Sequence, residues 1–184
     1  NFSAHTDIRK LRVGYLKSAF DAAHATKANH DKVLEVLRSM GINLVPVELP
    51  EGIPVGAVRI MLTAEAAAAF DDLTRSDRDS LLSNQRRWAW PNSFRTARFI
   101  PAVEYINASR IRSELIEQYH EATKDLGVIV TPSFGGSQLL TTNLTGHPCM
   151  VVPNGFNESG SPTSISFIGK LFGEAAIIAL ANAY

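Results

Sequence analysis

The sequence predicts an α/β fold, a mixed β-sheet flanked by helices, on three observations. Between Gly127 and Gly169, three short apolar runs, Val128–Val130, Cys149–Val152 and Ile165–Ile168, are closed by Pro132, Pro153 and Gly169, as strands are. Nearer the start, a strand, a helix and a second strand follow one another with short links, which is the pattern of a βαβ crossover. Elsewhere, apolar residues recur at helical spacing.

Taken in order, Leu11–Leu16 alternates apolar and polar positions before filling in, as a strand near a sheet centre does. A helix is expected from about Asp31 to Met40, with Val33, Leu34, Val36 and Leu37 as its apolar stripe and Asn29 or His30 as its cap. Gly41 suits the left-handed residue that ends it. Asn43–Pro50 is the next strand, and Pro46 and Pro50 argue for an edge strand or a short one. From Val58 to Leu73, the positions Val58, Leu62, Ala66, Ala69, Phe70 and Leu73 predict one amphipathic helix, with Glu65 on its solvated face.

Thr74 to Ser93 is the least regular stretch, and its Arg86-Arg87-Trp88-Ala89-Trp90 reads as a surface loop. Pro101 opens the longest helix, to about Lys124, with Ala108, Ile111, Leu115, Tyr119 and Ala122 inward. Gly127 ends it, and Glu174–Tyr184 is a closing helix. The segment before the middle apolar run, holding Thr141, Thr142, Asn143 and Thr145, reads as a polar loop beside a buried strand. That loop is where a ligand is expected.

A chain of 184 residues fits one domain, and we expect a single α/β domain over 1–184 with no internal boundary. Its 45% apolar and 20% charged composition is globular. Eighteen basic residues balance 18 acidic ones, which removes the electrostatic case for nucleic acid or an anionic membrane. Gly14 stands without a glycine-rich phosphate turn, so a nucleotide site is not indicated. A lone Cys149 excludes an intrachain disulfide, and in its apolar run it reads as a small buried hydrophobe.

The five histidines lack the i, i+4 spacing of a helical metal pair, so no metal is expected. His147, between Gly146 and Pro148, reads as a loop-fixing residue. Ser137, in Gly135-Gly136-Ser137-Gln138, reads as a turn residue, because no Gly-x-Ser-x-Gly elbow surrounds it. The chain starts without Met and without an apolar run, so we expect a piece of a longer, cytoplasmic parent.

Several motifs resemble those of amidase-signature enzymes. They are Val130-Thr131-Pro132, Thr142-Asn143-Leu144-Thr145-Gly146-His147-Pro148, Val151-Val152-Pro153-Asn154-Gly155-Phe156 and Ile168-Gly169-Lys170 with Glu174. Upstream, Glu65–Phe70, Ile100–Tyr105 and Ala108–Arg112 continue the likeness. The resemblance implies the C-terminal part of an α/β/α fold and a parent that hydrolyses carbon–nitrogen amide bonds through a Ser–cis-Ser–Lys arrangement, without cofactor. The family's Gly-Gly-Ser-Ser-Gly segment and its lysine do not occur here, so no catalytic residue is expected in this chain and the chain alone should be inactive.

By the same resemblance Gln138, Thr142 and Asn143 are the substrate-binding candidates, for a small amide bound together with the missing N-terminal half. Alone, the chain is expected to pair as a homodimer. The alternatives are a glutamine-hydrolysing component of a tRNA-dependent amidotransferase, or a non-catalytic binding or scaffold domain that keeps the fold.

Overall fold

A computed structural model of the chain describes residues 6–134 and 136–184. In chain order the elements are β1 (Val13–Leu16), α1 (Lys17–Asp21), α2 (Lys27–Ser39), β2 (Leu44–Val47), α3 (Val55–Val58), α4 (Ile60–Ala69), α5 (Asp71–Arg75), α6 (Trp90–Ala97) and α7 (Ala102–Thr123). They continue with β3 (Val128–Pro132), α8 (Gln138–Thr145), β4 (Cys149–Phe156), β5 (Pro162–Gly169) and α9 (Glu174–Ala183). Contacts divide the chain into two compact units, one of residues 1–51 and 115–184 and the other of residues 52–114.

The first unit holds a five-stranded sheet in the order β2-β1-β3-β5-β4. β1 runs parallel to β2 and to β3, whereas β5 is antiparallel to both β3 and β4, so the sheet is mixed. Successive side chains alternate between faces. Val13, Val128, Val130, Ile165 and Phe167 point to one face, where Val33 and Leu37 of α2 and Ile177 and Leu180 of α9 cover them. Leu16, Ile129 and Ile168 point to the other, against Tyr119 of α7 and Leu126. All five residues of the central strand β3 are buried, as expected of a strand with helices on both faces.

Several expectations hold. The βαβ pairing is parallel, and β2 with its Pro46 is an edge. Gly41, at φ +81°, follows α2, where its N–H reaches Arg38 O and the Ile42 N–H reaches Leu37 O. These are the two hydrogen bonds of a left-handed helix stop.

Other expectations are corrected. Helix α2 begins a turn earlier than expected, because the Lys27 ammonium bonds both Phe20 O (2.8 Å) and the Asp31 carboxylate (2.8 Å), so Asn29 and His30 lie inside it rather than capping it. The segment expected as a polar loop is helix α8: Thr141 and Thr142 turn their hydroxyls back to the carbonyls of Ser137 and Gln138 at 3.0 and 3.1 Å. It stops at Gly146, φ +79°, whose N–H bonds Thr142 O at 2.9 Å. β4 is an edge strand rather than a buried middle one, since β5 inserts between it and β3, and Cys149 is accordingly exposed.

The second unit is helical. In place of one helix from Val58 to Leu73, the chain breaks at Arg59 and Phe70 into α3, α4 and α5. Within α4 it is Met61 and Ala67 that are buried, while Leu62 and Phe70 are exposed. At the break Phe70 stacks on Phe94 of α6 at 5.1 Å between ring centroids. α6 itself lies partly in the stretch expected to be irregular, and Pro91 occupies its first turn, where a missing N–H costs nothing. Glu65 is exposed and accepts a 2.8 Å hydrogen bond from the Tyr105 hydroxyl. Trp88 stands 83% exposed with the Arg87 guanidinium 4.8 Å from its ring centre. On α7 the stripe is buried at Ala108, Leu115 and Tyr119, but Ala122 is exposed and Thr123 takes its place.

Candidate functional site

Parallel strands β1, β2 and β3 end on the same side of the sheet, and the antiparallel β5 begins there. In open α/β sheets, ligands bind in the crevice outside these carboxyl ends. A cavity of about 1000 Å³ opens there, lined entirely by residues of the first unit. Ser18 and Ala19 come from α1 just after β1, Glu48 to Glu51 from the end of β2, and Pro132, Ser133 and Phe134 from the end of β3. Gly136 and Ser137 lead into α8, Pro162 to Ser164 open β5, and His24 and His30 come from α2 and the turn before it.

Three polar arrangements are built into this wall. Ser133 lines the cavity and is buried, and its oxygen accepts from both Ser164 Oγ and Ser166 Oγ at 3.0 Å. The Glu48 carboxylate receives the Ser18 N–H at 3.0 Å and the Ser18 hydroxyl at 2.5 Å, so its position is fixed from across the crevice. His30 Nδ1 lies 3.3 Å from His24 Nε2, with the rings 4.6 Å apart. Among the described residues Ser133 has its hydrogen bonds with serines, not with a histidine or lysine. A nucleophilic serine needs such a base within reach, and none bonds Ser133 among the described residues.

Burial first, and His24 second, push the His30 imidazole below the ordinary histidine value, against the opposing pull of Asp31. Burial does the same to His147, with His120 adding to it. The folded chain therefore resists protonation that the unfolded chain accepts. Stability is expected to be fully present above about pH 6.5 and to fall as the pH drops below that through the depressed folded-state values. Urea midpoints measured from pH 7.5 down to 5 check this. His30→Asn should flatten the fall, and an unchanged slope in that variant would contradict the assignment.

The sequence candidates lie beside this cavity rather than in its lining. Gln138, the first residue of α8, is 1% exposed, and neither its Oε1 nor its Nε2 has a hydrogen-bond partner. Thr142 is buried and bonded to the carbonyls of Gln138 and Leu139, while Asn143 is exposed. Ser137, read as a turn residue, lines the cavity, and Gly135 lies outside the described residues. His147 bonds Thr145 Oγ1 at 2.7 Å and packs on the Tyr119 ring at 4.5 Å, on the other face of the sheet. Ser133, Ser164, Glu48, His24 and His30 escaped the sequence reading. Ser133 and Glu48 follow directly on strands, and that placement was the available signal. Among the described residues, no three His, Cys, Asp or Glu side chains gather as a metal site would require, and no helix is long and apolar enough to cross a membrane.

No family model matches the chain. Among curated proteins it is 28% identical, over 222 aligned positions, to a glutamyl-tRNA(Gln) amidotransferase component of Prosthecochloris aestuarii, covering 96% of this chain and 46% of that protein. It is 25% identical to a fatty acid amide hydrolase of Arabidopsis thaliana, covering 96% and 33%. Among solved structures, the peptide amidase of Stenotrophomonas maltophilia superposes with a TM-score of 0.74 at 22% identity, over 96% of this chain and 42% of that one. These matches agree with the amidase-signature family. The allophanate hydrolase of Kluyveromyces lactis gives 0.70 at 20% identity, over 95% and 32%. The fold is that of the amidase-signature α/β proteins, and the chain spans between a third and just under half of the length of the two curated relatives.

Proposed function

We propose that this chain forms the substrate-side part of an amidase that hydrolyses carbon–nitrogen amide bonds. The nucleophile and base, a Ser–cis-Ser–Lys arrangement, would come from outside residues 1–184, so that the chain alone turns over nothing. The observation that carries this reading is the cavity at the carboxyl ends of β1, β2 and β3, in a chain similar along nearly its whole length to proteins named for amide chemistry. Attack on an amide carbonyl requires the amide to be held while charge develops on its oxygen, and hydroxyl donors in a crevice closed to bulk water can hold it. Ser133, with two serine hydroxyls already donating to it, is such a donor.

Gln138, Thr142 and Asn143 complete the proposal on the α8 side. Support is strongest for Gln138, since a buried amide with no partner costs free energy until a ligand or a neighbouring segment supplies one. A place in a glutamine-dependent amidotransferase is the second reading, favoured by the amidotransferase relative.

The test uses the parent protein and a panel of simple amides, glutamine among them. Because Asn143 is exposed, Asn143→Ala is expected to shift KM or kcat about threefold to tenfold, the worth of one hydrogen bond, with an unchanged melting temperature. Unaltered kinetics together with a lower melting temperature would reduce Asn143 to a helix-surface residue. Turnover of glutamine alone would select the second reading.

A further inference from the structure

The cavity carries a charge pattern that narrows what it can hold. Its described lining residues include two carboxylates, Glu48 and Glu51, two imidazoles, several hydroxyls and a set of apolar side chains, but no lysine or arginine. The acidic character continues outward. An adjoining groove of about 570 Å³ shares Glu48 with the cavity and adds Glu117 and Glu121, the latter paired with Lys124 at 2.7 Å.

A ligand carboxylate entering here would lose water and meet carboxylates, while Lys17, the cation that acts on Glu48 from beside Ser18, is already paired with Asp21. Bringing an anion between like charges in a partly desolvated crevice is unfavourable. A cationic nitrogen group meets the opposite situation, because a crevice lined by one sign of charge concentrates the counter-charge. Glu48 is also oriented in advance. The Ser18 N–H and hydroxyl hold its two oxygens, and a carboxylate accepts about four hydrogen bonds, so acceptor capacity remains for a ligand. The apolar wall of Leu16, Leu49, Pro132 and Phe134 suits the carbon skeleton behind such a head group.

We propose that this cavity binds amine- or amidine-bearing ligands, with Glu48 as the anchoring acceptor, and discriminates against carboxylates. As a statement about substrate it rests on the amidase reading above. The substrate class is then an amide whose non-reacting end carries a cationic nitrogen.

Benzamidine, benzamide and benzoate share one shape and differ in charge, so they separate charge from fit. Binding of each to the chain is followed by calorimetry and by shifts of backbone amide resonances. Benzamidine is expected to bind about tenfold more tightly than benzoate, with benzamide between them and shifts centred on Ser18, Ser133 and Ser164. Glu48→Gln keeps an oxygen for Ser18 and removes the charge, so it should weaken benzamidine about tenfold and leave benzamide unchanged. Should that variant fail to fold, Glu51→Gln at an exposed position should lower the benzamidine preference severalfold.

Benzoate binding as tightly as benzamidine, no binding of any of the three, or shifts confined to residues 52–114 would each overturn the proposal. A benzamidine preference that ignores both Glu48 and Glu51 would do so as well. An active amidase parent with no charge preference defeats this inference alone. A charge-selective cavity in a parent that cleaves no amide defeats only the amidase reading.

Discussion

Phe167→Ala is expected to destabilise the first unit by about 3–5 kcal/mol, the usual cost of emptying a buried aromatic site. Phe167 is wholly buried at the middle of β5, opposite Val130 on one side and Met150 on the other, with the Tyr184 ring 5.7 Å away. Its neighbours belong to three strands and a helix, so they cannot collapse together into the space left behind. Native domains are stable by only about 5–15 kcal/mol, so this one change removes a large part of the total. Urea unfolding should show a lower midpoint with an unchanged slope. Phe167→Leu keeps most of the volume and should cost less than about 1.5 kcal/mol. A loss below about 1 kcal/mol for the alanine variant would show that the site is looser than described.

The second large effect lies in residues 52–114. Asp79 is 1% exposed, and the Nε of Arg95 stands 2.8 Å from its Oδ2, at an angle that makes the contact an ion pair rather than a hydrogen bond. Arg95→Ala would leave a buried carboxylate without its cation. The loss for a fully buried pair is about 3–5 kcal/mol, and we expect about 2–3 here because the Arg95 side chain is 40% exposed and water shares in its screening. Faster hydrogen exchange across this segment reads the loss directly. Replacing both partners, Asp79→Leu with Arg95→Met, should recover most of it, since an apolar pair of similar volume leaves no charge unpaired. Exchange that is no faster in Arg95→Ala would mean that Asp79 is satisfied without its partner.

Strand positions were legible because apolar runs closed by proline or glycine carry a local signal, and β1, β2, β3 and β5 all fell where those runs lie. The same signal says nothing about neighbours. β4 and β5 read alike as apolar runs, yet one is a sheet edge and the other lies inside, because a hairpin folds β5 back between β3 and β4. α8 was hidden for a different reason. Threonine, asparagine and glycine are turn-formers when counted by type, yet the segment is a helix in the fold, its threonine hydroxyls bonded four residues back and its end set by a left-handed stop at Gly146.

Phe70, at the break, stacks against Phe94 from a distant part of the chain, and the run of alanines in α4 blurs the stripe that would show which face is buried. At the site, the motif Thr142–Pro148 that carries the resemblance lies on α8 and just beyond it. The cavity wall joins residues distant in sequence, Ser18 with Glu48 and Ser133 with Ser164, that only the sheet brings together.

The pairing of β1 with β3 also sets the order in which the chain can assemble. β4 and β5 are joined by a five-residue turn, Asn157 to Ser161, in which the Asn157 side chain accepts the N–H groups of Ser159 and Ser161. Such a hairpin closes in about 1–10 μs. Val13 meets Val128 only after the whole of residues 52–114 has been looped out between them. Non-local parallel pairing of that kind is slow, because chain entropy is lost before any contact compensates it. The seam between β1 and β3 is therefore expected to close late in folding and the C-terminal hairpin early. Lengthening the looped-out segment would delay it little, since each doubling of a flexible loop costs only about 0.6 kcal/mol.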